Sequence, residues 1–194
     1  MFNTPFFHVV VAFLVTVSSQ LKQQMIADLN SQSILLSPET LYVKKEISGG
    51  GIINLIDANT LNSPGISNFD KNALQTGRVI VFDQITIGYK NDAASGKEGQ
   101  LSYNTVAPAE LQNAIFKISQ NGKKVLELPF IDIHNLASGN KREDQYTNLK
   151  ALGLLVDDKI IEMQLIFPAG VTLPTATKHY ISVNISGLQT VSKA

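Results

Sequence analysis

Hydrophobic positions along the chain follow two regimes. Pro5 to Val17, PFFHVVVAFLVTV, is an almost continuous apolar run broken only by His8 and Thr16. Apolar positions continue as Leu14, Val17, Leu21, Met25 and Leu29, spaced by threes and fours, which predicts a helix. Thr4 suits its N-cap and Pro5 its first helical position. The β-branched run Val9 to Val11 keeps a strand open as an alternative.

From Leu41 onward the pattern shifts to short extended runs broken by turn residues. Leu41 to Ile47 alternates, and the triple glycine Gly49 to Gly51 then separates it from Ile52 to Ile56. A loop rich in Asn, Ser, Pro and Gly follows, from Asp57 to about Asn68. Arg78 to Tyr89, RVIVFDQITIGY, is the strongest strand, and its apolar face changes parity near Asp83, which calls for a bulge, a twist or burial of both faces. Ala114 to Ile118 and Lys123 to Leu128 flank Asn121-Gly122, a pair suited to a type I′ hairpin turn, and Pro129 ends that ladder or marks an edge. Ala137 to Lys150 reads as a charged surface excursion with one helical turn. Ile160 to Phe167 reads as a buried strand, and Ile181, Val183 and Ile185 alternate with Ser182, Asn184 and Ser186 in the last one. Such short strands, with little helical period beyond the N-terminal segment, predict an all-β antiparallel sandwich or barrel. Residues 1–40 form the expected apolar arm and 41–194 a single β-domain.

Length and composition support one domain with a real core: 194 residues, 44% hydrophobic and 16% charged. Sixteen basic side chains balance sixteen acidic ones, so no basic excess exists to neutralise phosphates, and specific nucleic-acid binding is not expected. Balanced charge also removes one barrier to self-association. Cysteine is absent, which excludes disulfides, thiolate zinc sites and a cysteine nucleophile. Tryptophan is absent too, which weakens a sugar-binding reading. The apolar run lacks the basic start of a signal peptide, the next lysine being Lys22. At about a dozen residues, roughly 18 Å as a helix, it is too short to span a bilayer. It therefore packs under its own domain, swaps into a neighbour or dips into one leaflet.

Candidate chemistry is sparse. His8, His134 and His179 lack metal-ligand spacing from one another, although Asp132 and His134 alternate on one face of an expected extended segment. Ser95-Gly96-Lys97 has the look of a phosphate loop, but Asn91 and Glu98 stand where that motif needs Gly and Ser or Thr. Gly49 to Gly51 lacks dinucleotide-fingerprint spacing and reads as a flexible joint. Asp157-Asp158 reads as a turn, Glu143-Asp144 as part of the charged excursion, and Glu127 and Glu162 as outward strand positions. No catalytic, cofactor-binding or metal-ligating residue is assigned, no cofactor is expected, and the chain is not read as an enzyme.

Three stretches, TGRVIVFDQITIGYK, NAIFKISQNGKKVLELPF and IEMQLIFPAGVTLPTATKHYISVNISGLQTV, give the chain a resemblance to jelly-roll capsid proteins of tailless icosahedral bacteriophages. The likeness covers about Thr76 to Val191 plus the arm, and it is one of pattern rather than of diagnostic motifs. It implies a jelly-roll sandwich that assembles into a virion shell, with no cofactor and no catalytic residue. Double-barrel members need two such sandwiches and this chain holds one, so the resemblance points to a single-jelly-roll shell protein or a five-fold vertex (penton) protein. Implied partners are copies of itself, pentameric for a penton, neighbouring capsid proteins, and an internal viral membrane met by Pro5 to Val17. An exported adhesin or ligand-binding sandwich is the alternative.

Overall fold

The computed structural model describes residues 4–31, 33, 35–135 and 145–191. Helix α1 (Thr4–Thr16) is followed by a 3-10 turn at Ser18–Gln20 and by α2 (Gln23–Asn30). The strands are β1 (Leu35–Ile47), β2 (Ile52–Asn54), β3 (Ile80–Asp92), β4 (Ile115–Gln120), β5 (Lys123–Pro129), β6 (Thr147–Leu155), β7 (Ile161–Ile166) and β8 (Lys178–Val191). Two one-turn helices, α3 (Ala109–Gln112) and α4 (Phe130–Ile133), flank the β4–β5 hairpin.

Among the described residues the strands form two four-stranded antiparallel sheets, ordered β1-β8-β3-β6 and β2-β7-β4-β5. Their facing sides enclose one apolar core built on Phe69, Phe82, Phe116, Phe130, Ile85 and Ile118, each at most 2% exposed. The all-β sandwich expected from the alternating runs is therefore present.

The parity change in β3 has a clear cause. Ile80 and Phe82 face the inner core before it, and Ile85, Ile87 and Tyr89 after it, with a bulge between Phe82 and Gln84 against both neighbouring strands. A bulge adds one residue to one strand, so the inward set shifts by one position. Two glycines make room for it. A Cβ at Gly187 would lie 2.0 Å from the Val81 carbonyl oxygen, and one at Gly153 would lie 2.1 Å from the Phe82 ring.

The Asn-Gly hairpin also forms as expected. Asn121 and Gly122 have φ of 52° and 76°, the left-handed values that a type I′ turn needs at both central positions. Pro129 closes β5, which is an edge strand and tolerates the missing N–H. The far edge at β1 is covered instead. The Asn68 side chain accepts from Tyr42 N–H at 2.8 Å and donates to the Thr40 carbonyl at 2.8 Å, as a neighbouring strand would.

Several local expectations give way. β1 begins at Leu35, six residues before the predicted strand, with Pro38 tolerated because β1 is itself an edge. β2 shrinks to three residues. Thr147–Leu155, expected to begin as polar loop, is β6, whose outward Asn148 and Lys150 disguise a strand that buries Gly153 and Leu155. Residues 137–144 of the charged excursion lie outside the described residues. The glycine run is no flexible joint: Gly49 and Gly51 carbonyls accept from Leu173 and Phe167 N–H at 2.8 and 2.7 Å. A Cβ at Gly50 would meet the Val171 carbonyl at 2.1 Å, so glycine there serves close packing.

The N-terminal segment is helical and lies against its own sheet. Val10, Leu14, Leu21, Met25 and Leu29 are buried on Leu36, Val79, Val81, Val156 and Leu188, on the outer side of the β1-β8-β3-β6 sheet. Three consecutive valines are poor helix formers, so this packing rather than intrinsic propensity carries α1. No described helix is long and apolar enough to cross a membrane.

Candidate functional site

His179 and His134 serve the fold. His179 is 4% exposed; its Nδ1 lies 2.6 Å from the Tyr89 hydroxyl and its Nε2 lies 2.7 Å from the Pro174 carbonyl. A carbonyl only accepts, so Nε2 carries the proton and Nδ1 accepts from Tyr89. Burial pushes the Tyr89 hydroxyl up to about 12, which keeps it a donor.

His134 is fixed the same way. Its Nδ1 donates to the Ile87 carbonyl at 3.0 Å and its Nε2 accepts the Ala107 N–H at 3.2 Å. Both partners are backbone, and the set fits the neutral ring. Burial lowers its pKa, partly opposed by the Ile87 and Thr105 carbonyls. The extended segment expected to align Asp132 with His134 is instead the turn of α4, so the two do not share a strand face. His8 is exposed on α1, edge-on to Phe7 with ring centroids 5.8 Å apart. No group of three His, Asp or Glu side chains among the described residues is arranged to hold a metal.

The Ser95-Gly96-Lys97 loop is turned toward a carboxylate. Ser95 hydroxyl and Gly96 N–H approach Glu46 at 3.3 and 3.4 Å, and Lys97 donates to Gln100 at 3.2 Å. The Tyr180 hydroxyl sits 3.0 Å from Glu46 and 2.6 Å from the Ala94 carbonyl, and burial together with Glu46 pushes its pKa up to about 12. A loop already satisfied by an anion of the protein is a clasp between β1, β8 and its own turn.

The remaining acidic candidates are dispersed. Glu127 lies 3.8 Å from Lys124, and Glu162 accepts from the Ser119 hydroxyl at 2.6 Å. Glu143-Asp144 lies outside the described residues. Asp157 and Asp158 do more than turn the chain: Asp157 accepts Gly77 N–H at 2.6 Å and lies 2.7 Å from Lys22, while Asp158 binds Lys22 and accepts from Thr76 at 2.8 Å. The two carboxylates raise the Lys22 pKa, and Lys22 in turn lowers that of Asp158. The link between α1 and α2 is thereby tied to the β6–β7 turn.

Sequence reasoning missed the Gln120 side chain. It donates to the Val156 carbonyl at 2.7 Å and accepts Val156 N–H at 3.0 Å, joining the two sheets beside the hairpin tip. A buried amide at a strand end gives no spacing signal, so nothing in the chain announced it.

Two of the concave surfaces among the described residues bear on function. One, of about 500 Å³, opens between edge strands β5 and β6 and is lined by Val125, Leu126, Leu128, Leu149 and Leu152, with Asp132 and Lys150 at hand. The other, of about 590 Å³, lies between the end of α1, the hairpin tip and β6, where Phe13 and Val17 meet Lys123, Lys124 and Lys159. The outer side of α1 is the third feature. Pro5, His8, Val9, Ala12, Val15 and Thr16 are exposed there, with Val9 at 53% and Val15 at 55%.

No family model matches the chain, and no curated protein matches it. A similarity to a solved structure spans 82% of this chain and the whole of a chain in the acidic stable capsid structure of Helicobacter pylori bacteriophage KHP30, at 11% identity and a TM-score of 0.31.

Proposed function

We propose that this chain is a structural protein of a virus particle, a jelly-roll shell subunit without catalytic chemistry. The observation that carries the reading is the strand pairing. β4 pairs with β5, β3 with β6, β2 with β7 and β1 with β8, all antiparallel. These pairs are successive rungs of one long ribbon folded at the Asn121-Gly122 turn. Rolled over itself, such a ribbon brings β8 beside β3 and β7 beside β4, which are the two further pairings present. Eight strands wound as two Greek keys are the plan of jelly rolls, a fold used by viral capsid, lectin and cupin domains. Fold alone does not assign function. The exposed, uncharged side of α1 favours assembly within that set, because a helix facing only water ordinarily carries charges there.

In this reading the chain takes a vertex or other single-jelly-roll position in the shell, contacts copies of itself and neighbouring capsid proteins, and turns α1 outward toward a neighbour or an internal lipid layer. Light scattering coupled to size exclusion, with electron microscopy of the concentrated protein, tests it. Pentamers or larger closed assemblies are expected; a strictly monomeric chain at high concentration overturns it.

The apolar opening between β5 and β6 favours a second reading, a ligand-binding sandwich, because pockets of this size and character suit small apolar ligands. Saturable binding of an apolar fluorescent probe, abolished by Leu149→Glu, is the result that would move the assignment there.

A further inference from the structure

We infer that the outer face of the β2-β7-β4-β5 sheet is a two-fold contact with a second copy of this chain. The inference names a face by which copies meet, and it rests on the self-associating part of the proposal above. Helices α1 and α2 cover the outer side of the β1-β8-β3-β6 sheet, whereas the other sheet exposes large apolar side chains. Register places Ile52 beside Ile166, Ile166 beside Ile115 and Ile115 beside Pro129. One residue from each strand thus joins an apolar row across the whole sheet. Their neighbours along the strands, Ile53, Leu165, Phe116 and Leu128, pack into the inner core, so the row points outward. Ile52 is 63% exposed and Ile115 40%; Pro129 is exposed and Ile166 half-buried. The next outward rows are polar, as a solvated sheet face requires: Asn54, Gln164, Lys117 and Glu127, then Glu162, Ser119 and Lys124.

This face is complementary to itself. A two-fold axis along the strands, between β7 and β4, lays rows on rows and exchanges β7 with β4 and β2 with β5. Ile166 then meets the partner's Ile115, and Ile52 meets the partner's Pro129. Lys117 faces the partner's Gln164, and Glu162 faces the partner's Ser119 with the partner's Lys117 one row away. Glu127 faces the partner's Asn54, the residue whose carbonyl accepts from Lys45 at 2.9 Å within each chain. Lys124 overhangs the end of the three-residue β2. No like charges are opposed.

Size sets the strength of the contact. Four strands about 4.8 Å apart and three outward rows about 6.8 Å apart give on the order of 400 Å² per copy. A pair then buries about 800 Å², the size of a weak and reversible contact. Such a contact suits a shell, in which every copy makes several at once.

Sedimentation equilibrium of the full-length chain, carried to millimolar concentration, tests this. Reversible pairing is expected. Ile115→Glu is expected to weaken it about 100-fold, because each copy then buries a carboxylate against an isoleucine. Mixing Ile115→Glu with Ile166→Lys is expected to recover about tenfold, since the new carboxylate and ammonium oppose each other across the axis. The chain holds no cysteine, so Ile52→Cys with Pro129→Cys reports the geometry. Within one chain these positions lie three strand spacings, about 14 Å, apart, and a short bis-maleimide is expected to join only different copies. Thermal unfolding checks that each variant folds, and Ile52→Glu, at the most exposed position of the row, repeats the test should Ile115→Glu fail to. Association unmoved by these changes, or not recovered on mixing, overturns the inference, and larger assemblies in that case leave the shell reading standing. A pair that grows no further keeps the inference and overturns the shell reading. A strictly monomeric chain overturns both and leaves the row to a different protein.

Discussion

The two apolar layers of this molecule are built on opposite sides of one sheet and by different means. The inner layer joins two sheets through Phe69, Phe82, Phe116 and Phe130, all at most 2% exposed. The outer layer joins a sheet to two helices through a buried set without aromatics; Phe6, Phe7 and Phe13 pack against it only half-buried. Strand pairing holds the inner layer in register. The outer layer depends on side-chain packing and on the Lys22 clasp. The difference predicts that the β-sandwich survives loss of the helical layer, although the two share one sheet.

Removing residues 1–31 is the largest perturbation of that contrast. It uncovers Val79, Val81 and Leu188, so the body is expected to retain its β signature in circular dichroism, unfold at lower temperature and aggregate at concentrations the full chain tolerates. Outright loss of folding would join the two layers into one unit. Phe116→Ala, in the inner layer, is expected to cost about 3–5 kcal/mol in urea unfolding, since two paired sheets cannot close on the cavity. Leu14→Ala should cost about 2 kcal/mol, the low end for such a change, because a helix can shift to fill the gap. Equal costs would dissolve the distinction.

Acid offers a subtler probe of the inner layer. Burial lowers the His134 pKa in the folded chain, so the unfolded chain takes up that proton first. Stability from the neutral ring is therefore complete above the ordinary imidazole value near 6.5 and is lost as pH falls through the lower folded value. The stability gap between the native chain and His134→Gln is expected to narrow on acidification across that window, measured by urea midpoints at several pH values. Lys22→Ala should have the smallest effect: a slight fall in melting temperature that high salt erases, since Lys22 and Asp158 are half-exposed.

Much of the inner layer was legible in the sequence. Asn121-Gly122 specified its turn because few residue pairs accept two positive φ values, and the parity slip near Asp83 marked the place where a bulge, a twist or two-sided burial was needed, the strand pairing deciding for the bulge. β6 was not legible, because an edge strand with polar outward residues looks like a loop until its partner β3 is known. Nor was the arm's resting place. Val79, Val81 and Leu188 reveal an outward apolar face only once the bulge sets which side is inner. Among the candidate residues, dispersal was legible and employment was not. His134, His179 and Asp157 each hold a partner far along the chain, at Ile87, Tyr89 and Gly77, and spacing carries no trace of such pairs.

The place of β8 bears on how the molecule comes into being. The last of the eight strands lies between the first and the third, with Leu35 opposite Val191. While the chain emerges from the ribosome, β1 and β3 therefore wait with unpaired edges, and the outer layer waits for Leu188. Closing a loop of that length makes folding slow and dependent on the arrival of β8. Helix α1 precedes β8 by most of the sandwich, so it is made well before Leu188 arrives to complete the layer that covers Val10 and Leu14.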